Sequence, residues 1–136
     1  MRKVIVLILA GLMMTGIAGC GQKNSPKSVT EAIVKCLQKR DYKGYVKYTN
    51  LLDSYSDEQK DTLINAIGDN MEKMMDPVLE QKGGLSKYEI LEEKSDEEKG
   101  TATVSVKYFF GNGDEYTTEF HLKKDPEGIW KMNINN

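Results

Sequence analysis

The chain has 136 residues, 39% hydrophobic and 29% charged, with a formal net charge of −2 at pH 7. That length suits one domain with a single modest core, and the acidic balance excludes a nucleic-acid partner, whose phosphates would repel it. One histidine and two cysteines are too few for a closed zinc shell or for more than one disulfide, and neither a metal nor another cofactor is expected.

The chain opens with Arg2 and Lys3, then an apolar run from Val4 to Met14, then Ile17-Ala18-Gly19-Cys20. The run is too short to span a bilayer as a mature helix, and the small Ala18 and Gly19 leave room for a peptidase. These residues resemble the signal and lipobox of bacterial lipoprotein precursors. The resemblance implies a signal peptide over residues 1–19, removed to leave a diacylglyceryl-modified Cys20 as the new amino terminus. It implies an extracytoplasmic protein anchored to the cell membrane, on the outer face of the cytoplasmic membrane if the host is Gram-positive. Without its first 19 residues the chain is about one-third hydrophobic and carries a net charge of −4. Anionic headgroups would not attract it, so attachment falls to the acyl chains, each buried methylene contributing about 0.8 kcal/mol. Residues 20–27 read as the lipidated cysteine and a polar tether, with residues 28–136 as the domain. A tether from Gly21 to Lys27 reaches only about 20–25 Å, which keeps the domain close to the membrane.

The first half of the domain is helical. Ser28-Val29-Thr30-Glu31 has a capping-box pattern, and a helix over 29–40 follows, with Val29, Ile33, Cys36 and Leu37 on one face. Cys36 on that face reads as a small buried hydrophobe, since a reactive thiol would want a basic, partly exposed setting. Asp41 is placed to cap a second helix carrying Tyr42, Tyr45, Val46, Tyr48, Leu51, Leu52 and Tyr55. Ser56 to Gln59 form another capping box, opening a longer helix with apolar residues three and four apart from Leu63 to Leu79. Pro77 is expected to kink or restart that helix with Asp76 as the new cap, and Gly83-Gly84 to end it.

The second half alternates as strands: 87–93, 101–110, 115–124 and 129–134. Gly111-Asn112-Gly113-Asp114 reads as a hairpin turn, and Asp125-Pro126-Glu127-Gly128 as a turn with a left-handed glycine. Parity disfavours a two-residue Asn112-Gly113 loop, which would set Val106 against Glu119. A three-residue loop from Asn112 to Asp114 is expected instead, pairing Phe110 with Tyr116, Val106 with Phe120 and Val104 with Leu122. The same parity after Gly128 puts Trp130, Met132 and Ile134 on the inner, apolar face, which three amphipathic helices can cover.

The helix at Ser28 to Leu37, the Arg40-Asp41-Tyr42 entry to the second helix and the closing Gly128-Ile129-Trp130-Lys131-Met132-Asn133 resemble small bacterial lipoproteins with a nuclear-transport-factor-2-like (cystatin-like) domain. The resemblance implies an α+β cone: three N-terminal helices on a curved four-stranded antiparallel sheet. Members of that superfamily include isomerases, dehydratases and ligand carriers. No catalytic motif of the enzymatic members matches here, so no functional residue is carried over.

The candidate chemistry is sparse. Asp57-Glu58-Asp61 and the acids between Glu92 and Glu98 lack the spaced ligands and glycine of a calcium loop and read as solvated charge. Gly83, Gly84, Gly111 and Gly113 form no phosphate loop. His121 and Glu119 share the polar face of the third strand, where Glu119 is expected to pair with Lys107. Tyrosines at helical spacing and the cluster Met71, Met74 and Met75 fit either core or pocket. The pocket version places Tyr45, Tyr48, Tyr108, Phe120 and Trp130 around a cavity between the second helix and the sheet, suited to a small apolar or aromatic ligand. The resulting expectation is a binding or interaction module, with a cell-surface protein as another partner. An enzyme of isomerase or dehydratase type using the cone interior is the alternative, and an accessory surface subunit a third.

Overall fold

The computed structural model describes residues 24–134, so the expected signal segment and Cys20 lie outside the described residues. Helix α1 spans Pro26–Lys39, α2 Tyr42–Lys47 and α3 Asp57–Gln81; strands follow as β1 Leu85–Asp96, β2 Thr101–Phe110, β3 Glu115–Lys124 and β4 Trp130–Met132. The three helices and one antiparallel sheet in the order β1-β2-β3-β4 make the expected α+β cone.

The start of α1 differs from expectation by a turn. Ser25, not Ser28, is the N-cap: its hydroxyl accepts the Ser28 amide at 3.1 Å while Ser28 Oγ accepts the Ser25 amide at 2.9 Å. Pro26 decides between the two serines. It sits at the first helical position, where its fixed φ suits the helix and its missing N–H costs nothing. Arg40 then ends α1 in the left-handed region (φ 59°), and the Asp41 side chain caps α2 by accepting the Gly44 amide at 3.0 Å.

Helix α2 is shorter than expected. It stops at Lys47 because the next residues are claimed by the sheet: Met132 N–H donates to Tyr48 O at 2.9 Å and Asn50 N–H to Met132 O at 3.0 Å. Two backbone bonds to β4 replace the helical bonds that residues 48–55 would have made. Helix α3 begins at the expected Ser56–Gln59 capping box and runs unbroken through Pro77. Asp76 is therefore no cap. It accepts the Tyr42 hydroxyl at 2.6 Å and faces Arg40 at 3.8 Å. The proline is tolerated because Pro77 and Lys73, whose carbonyl it orphans, are both exposed to water. Helix α3 lies along α2, where a Cβ on Gly68 would stand 2.5 Å from Lys43 Cγ. Only Gly68 and Leu79 of this 25-residue helix are buried.

Strands β2 and β3 have the expected limits, β1 is longer and β4 shorter. The pairing differs by two residues: Tyr108 faces Tyr116, Val106 faces Thr118, Val104 faces Phe120 and Ala102 faces Leu122. The loop has three residues, but they are Gly111, Asn112 and Gly113, closed by Phe110 N–H to Asp114 O and Gly113 N–H to Phe110 O, both 2.9 Å. The third loop position needs positive φ, and Gly113 (φ 96°) supplies it where the expected loop would have forced Asp114 there. A two-residue slip preserves parity, so the expected inner face survives: Ala102, Val104, Val106, Phe120, Leu122 and Trp130 are buried with Val29, Ile33, Val34 and Leu37 of α1. Ile134 lies beyond β4 and is exposed.

A bulge between Ile90 and Glu92 reverses the parity of β1. It turns Glu93 inward, where it is 4% exposed and accepts the Lys27 amide at 3.2 Å. A sheet carboxylate thus satisfies a free N–H at the positive end of α1. Burial pushes the Glu93 carboxyl upward, against the opposing pull of the Lys27 amide.

Candidate functional site

The clearest concavity is a groove of about 550 Å³ between the last turns of α3 and the β2–β3 hairpin end of the sheet. One wall is helical, made by Met74, Met75, Val78 and Leu79. The other is aromatic, made by Tyr108, Phe110 and Tyr116. Leu37 and Leu85 close the floor, and Lys82, Asp114 and Glu115 form the polar rim. Met74 is 70% exposed and Val78 51%, so large apolar side chains face this space without a partner among the described residues.

Three glycines hold the walls together. Gly111 N–H donates to Gly84 O and Asn112 N–H to Lys82 O, both at 2.9 Å, so the hairpin tip is bonded directly to the turn after α3. A Cβ on Gly111 would stand 2.2 Å from Gly83 O, a separation no side chain could occupy. The positive φ of Gly83 (80°) and Gly84 (81°) reverses the chain from α3 into β1 at that contact. Lys82 adds an ion pair to Asp114 at 3.2 Å and lies 5.2 Å from the centre of the Phe110 ring. The Asn112 side-chain amide, followed by Lys82, holds the Asp114 carboxyl below its ordinary value.

Tyr108 packs edge-on to Phe110 with ring centres 6.0 Å apart and tilted against Tyr116 at 6.2 Å. Burial first, then the neighbouring phenols of Tyr45 and Tyr116, push the Tyr108 hydroxyl upward, so it stays protonated and available as a hydrogen-bond donor. Among the residues named from sequence as a pocket, only Tyr108 lines this groove. Tyr45 is half-buried against the core and Tyr48, the C-cap of α2, is 39% exposed. Phe120 and Trp130 are core residues, 5% and 6% exposed. The groove lies instead beside α3, where Met74 and Met75 had already stood out. Met74 and Val78 are one turn apart on a face that no described residue covers, and that absence of cover is invisible in a helical repeat.

The remaining candidates are elsewhere. Cys36 is buried and unpaired; burial, then Asp41, raises its thiol, with Lys39 opposing. His121 is 4.0 Å from Glu119, with both side chains more than half exposed. Lys107 pairs with Glu115 at 3.0 Å rather than with Glu119, because the two-residue slip sets Glu119 opposite Ser105. Lys131 bridges Asp53 at 2.7 Å and Asp125 at 3.4 Å, tying the segment after α2 to the β3–β4 turn. Among the described residues no group of three His, Cys, Asp or Glu side chains is placed to hold a metal ion, and no helix is long and apolar enough to cross a membrane.

The profile of a domain of unknown function, DUF4878, matches residues 18–133. The crystal structure of a "Putative NTF2-like transpeptidase" from Campylobacter jejuni is similar to the chain at a TM-score of 0.62 and 22% identity, covering 82% of this chain and 99% of that one. At that identity the likeness is one of fold, and the fold is NTF2-like. No curated protein matches the chain.

Proposed function

The chain belongs to the DUF4878 family, of unknown function, and has an NTF2-like fold; from that premise we propose a lipid-anchored extracytoplasmic binding module that holds an apolar or aromatic ligand in the groove between α3 and the β2–β3 hairpin. The observation that carries the reading is the groove itself. A space of about 550 Å³ walled by methionine, valine and aromatic rings, with the Tyr108 hydroxyl as a polar handle, has the usual chemistry of a small-molecule site. Methionine-rich walls also adapt to the shape of what they hold. The anchor rests on Ile17-Ala18-Gly19-Cys20 and predicts a diacylated Cys20 terminus in the membrane fraction. Mass spectrometry showing a mature protein that begins elsewhere and carries no lipid refutes it.

Binding is favoured over catalysis by what the groove lacks. Its acidic and basic groups sit on the rim, where Lys82 pairs with Asp114 and Glu115 with Lys107. Transpeptidation through a covalent intermediate needs an accessible nucleophile, and Cys36 lies in the core with its thiol raised. The test is a titration with the fluorescent probe 1-anilinonaphthalene-8-sulfonate. Saturable binding by the wild type, weakened at least tenfold by Val78→Lys at an exposed and therefore structurally tolerant position, is expected. No binding, or equal binding by the variant, overturns the ligand reading.

A further inference from the structure

The point where the chain enters the domain and the mouth of the groove lie at opposite ends of the sheet. Asn24 is held at the β4 edge by both arms of its side-chain amide: Oδ1 accepts the Trp130 N–H, and Nδ2 donates to Trp130 O at 3.4 Å. An asparagine side chain so placed takes the part of one residue of a neighbouring strand. Three residues on, the Lys27 amide is held by buried Glu93. Trp130 pairs with Lys124, whose N–H donates to Gly100 O, so the entry point is level with the β1–β2 and β3–β4 turns. The groove takes Tyr108, Phe110, Asp114 and Tyr116 from the other end of the same two strands. Eight to ten residues of β2 separate the two levels, about 30 Å at the rise of an extended strand.

We infer that the domain stands on the membrane with the β1–β2 and β3–β4 turns toward the bilayer and the groove facing away, so that the groove takes its apolar ligand from the aqueous side of the envelope and not from the membrane lipids. This rests on the lipid anchor at Cys20. Three residues link Cys20 to Asn24, so four extended steps reach at most about 14 Å, less than half the length of the sheet. Turned upright, the groove mouth stands beyond any contact with acyl chains. Lying flat has no electrostatic reward, since the chain without its signal carries a net charge of −4 and anionic headgroups repel it.

The test uses the lipoprotein purified from membranes and reconstituted into phosphatidylcholine–phosphatidylglycerol vesicles containing a fluorescent acceptor lipid. Single cysteines for a donor dye are placed at Glu127→Cys in the β3–β4 turn and at Gln81→Cys at the end of α3, both exposed, in a Cys36→Ala background. Energy transfer to the vesicle surface should be several-fold stronger from position 127 than from 81, and aqueous iodide should quench the dye at 81. Glu98→Cys in the β1–β2 turn should behave like position 127. Equal transfer from the two ends, or stronger transfer from 81, in protein that floats with the vesicles overturns the orientation alone. Protein that does not float overturns the lipid anchor, and this inference with it.

Discussion

Gly111→Ala should be among the most damaging single-methyl additions in this protein, and the structure says by how much. The added Cβ would stand 2.2 Å from Gly83 O and 2.9 Å from Gly83 C. Both atoms are backbone, so no side chain can swing aside; the hairpin tip must withdraw by more than an ångström. That breaks the 2.9 Å bonds from Gly111 to Gly84 and from Asn112 to Lys82. Two net hydrogen bonds at roughly 0.5–1.5 kcal/mol each, with residual overpacking strain, amount to about 2–4 kcal/mol. Gly113→Ala is the internal control. Nothing lies within 4 Å of its added Cβ, so only the left-handed φ of 96° is penalised, at roughly 1–2 kcal/mol. Urea unfolding followed by Trp130 fluorescence should give midpoints in the order wild type, Gly113→Ala, Gly111→Ala with unchanged m. The probe affinity of the groove should fall only in Gly111→Ala, because Phe110 moves with the tip. If Gly113→Ala costs as much as Gly111→Ala, the close backbone approach is not what closes the groove, and the reasoning fails.

Tyr42→Phe removes the 2.6 Å hydrogen bond to the Asp76 carboxylate that ties α2 to α3, and should cost about 1.5–3 kcal/mol in the same urea assay. Cys36→Ala should cost about 1–2 kcal/mol, and in the wild type a thiol reagent should label the native protein far more slowly than the unfolded one. Because the folded thiol titrates above the unfolded one, the folded state holds the extra proton at high pH, and stability should decline above about pH 8.5; Cys36→Ala should remove that decline. Glu93→Gln should raise the thermal midpoint at pH 7. Glu93 titrates higher when folded, so the folded state holds the extra proton and stability falls as pH rises from the unfolded value toward the folded one; the advantage of the glutamine should vanish near pH ~4. A Glu93→Gln midpoint below wild type at pH 7 would mean that the charge is needed at the α1 terminus.

The elements best read from sequence are those specified by local chemistry. Strands β2 and β3 alternate without interruption between glycine-rich turns, so both ends were legible. The Ser56–Gln59 box and Gly83 mark the ends of α3 because caps act within one turn. The expected Ser28 cap and Asn112–Asp114 loop are replaced by Ser25 and by Gly111–Gly113, shifts to which periodicity is blind. There Pro26 and the φ of Gly113 decided.

From the sequence alone come the α+β order, the inner face of the sheet and the core placement of Cys36. Side-chain period determines all three without knowledge of what touches what. The tertiary structure alone decided the end of α2, the inward turn of Glu93 and the place of the groove. Residues 48–50 leave the helix for Met132, more than 80 positions away. Glu93 turns in because a bulge at Leu91 shifts the ladder. The groove exists because Gly83 and Gly111 let two backbones touch at one end of the sheet, while α3 leaves Met74 and Val78 uncovered above it. Each depends on the distance between segments remote in sequence, and a linear pattern carries no such distance.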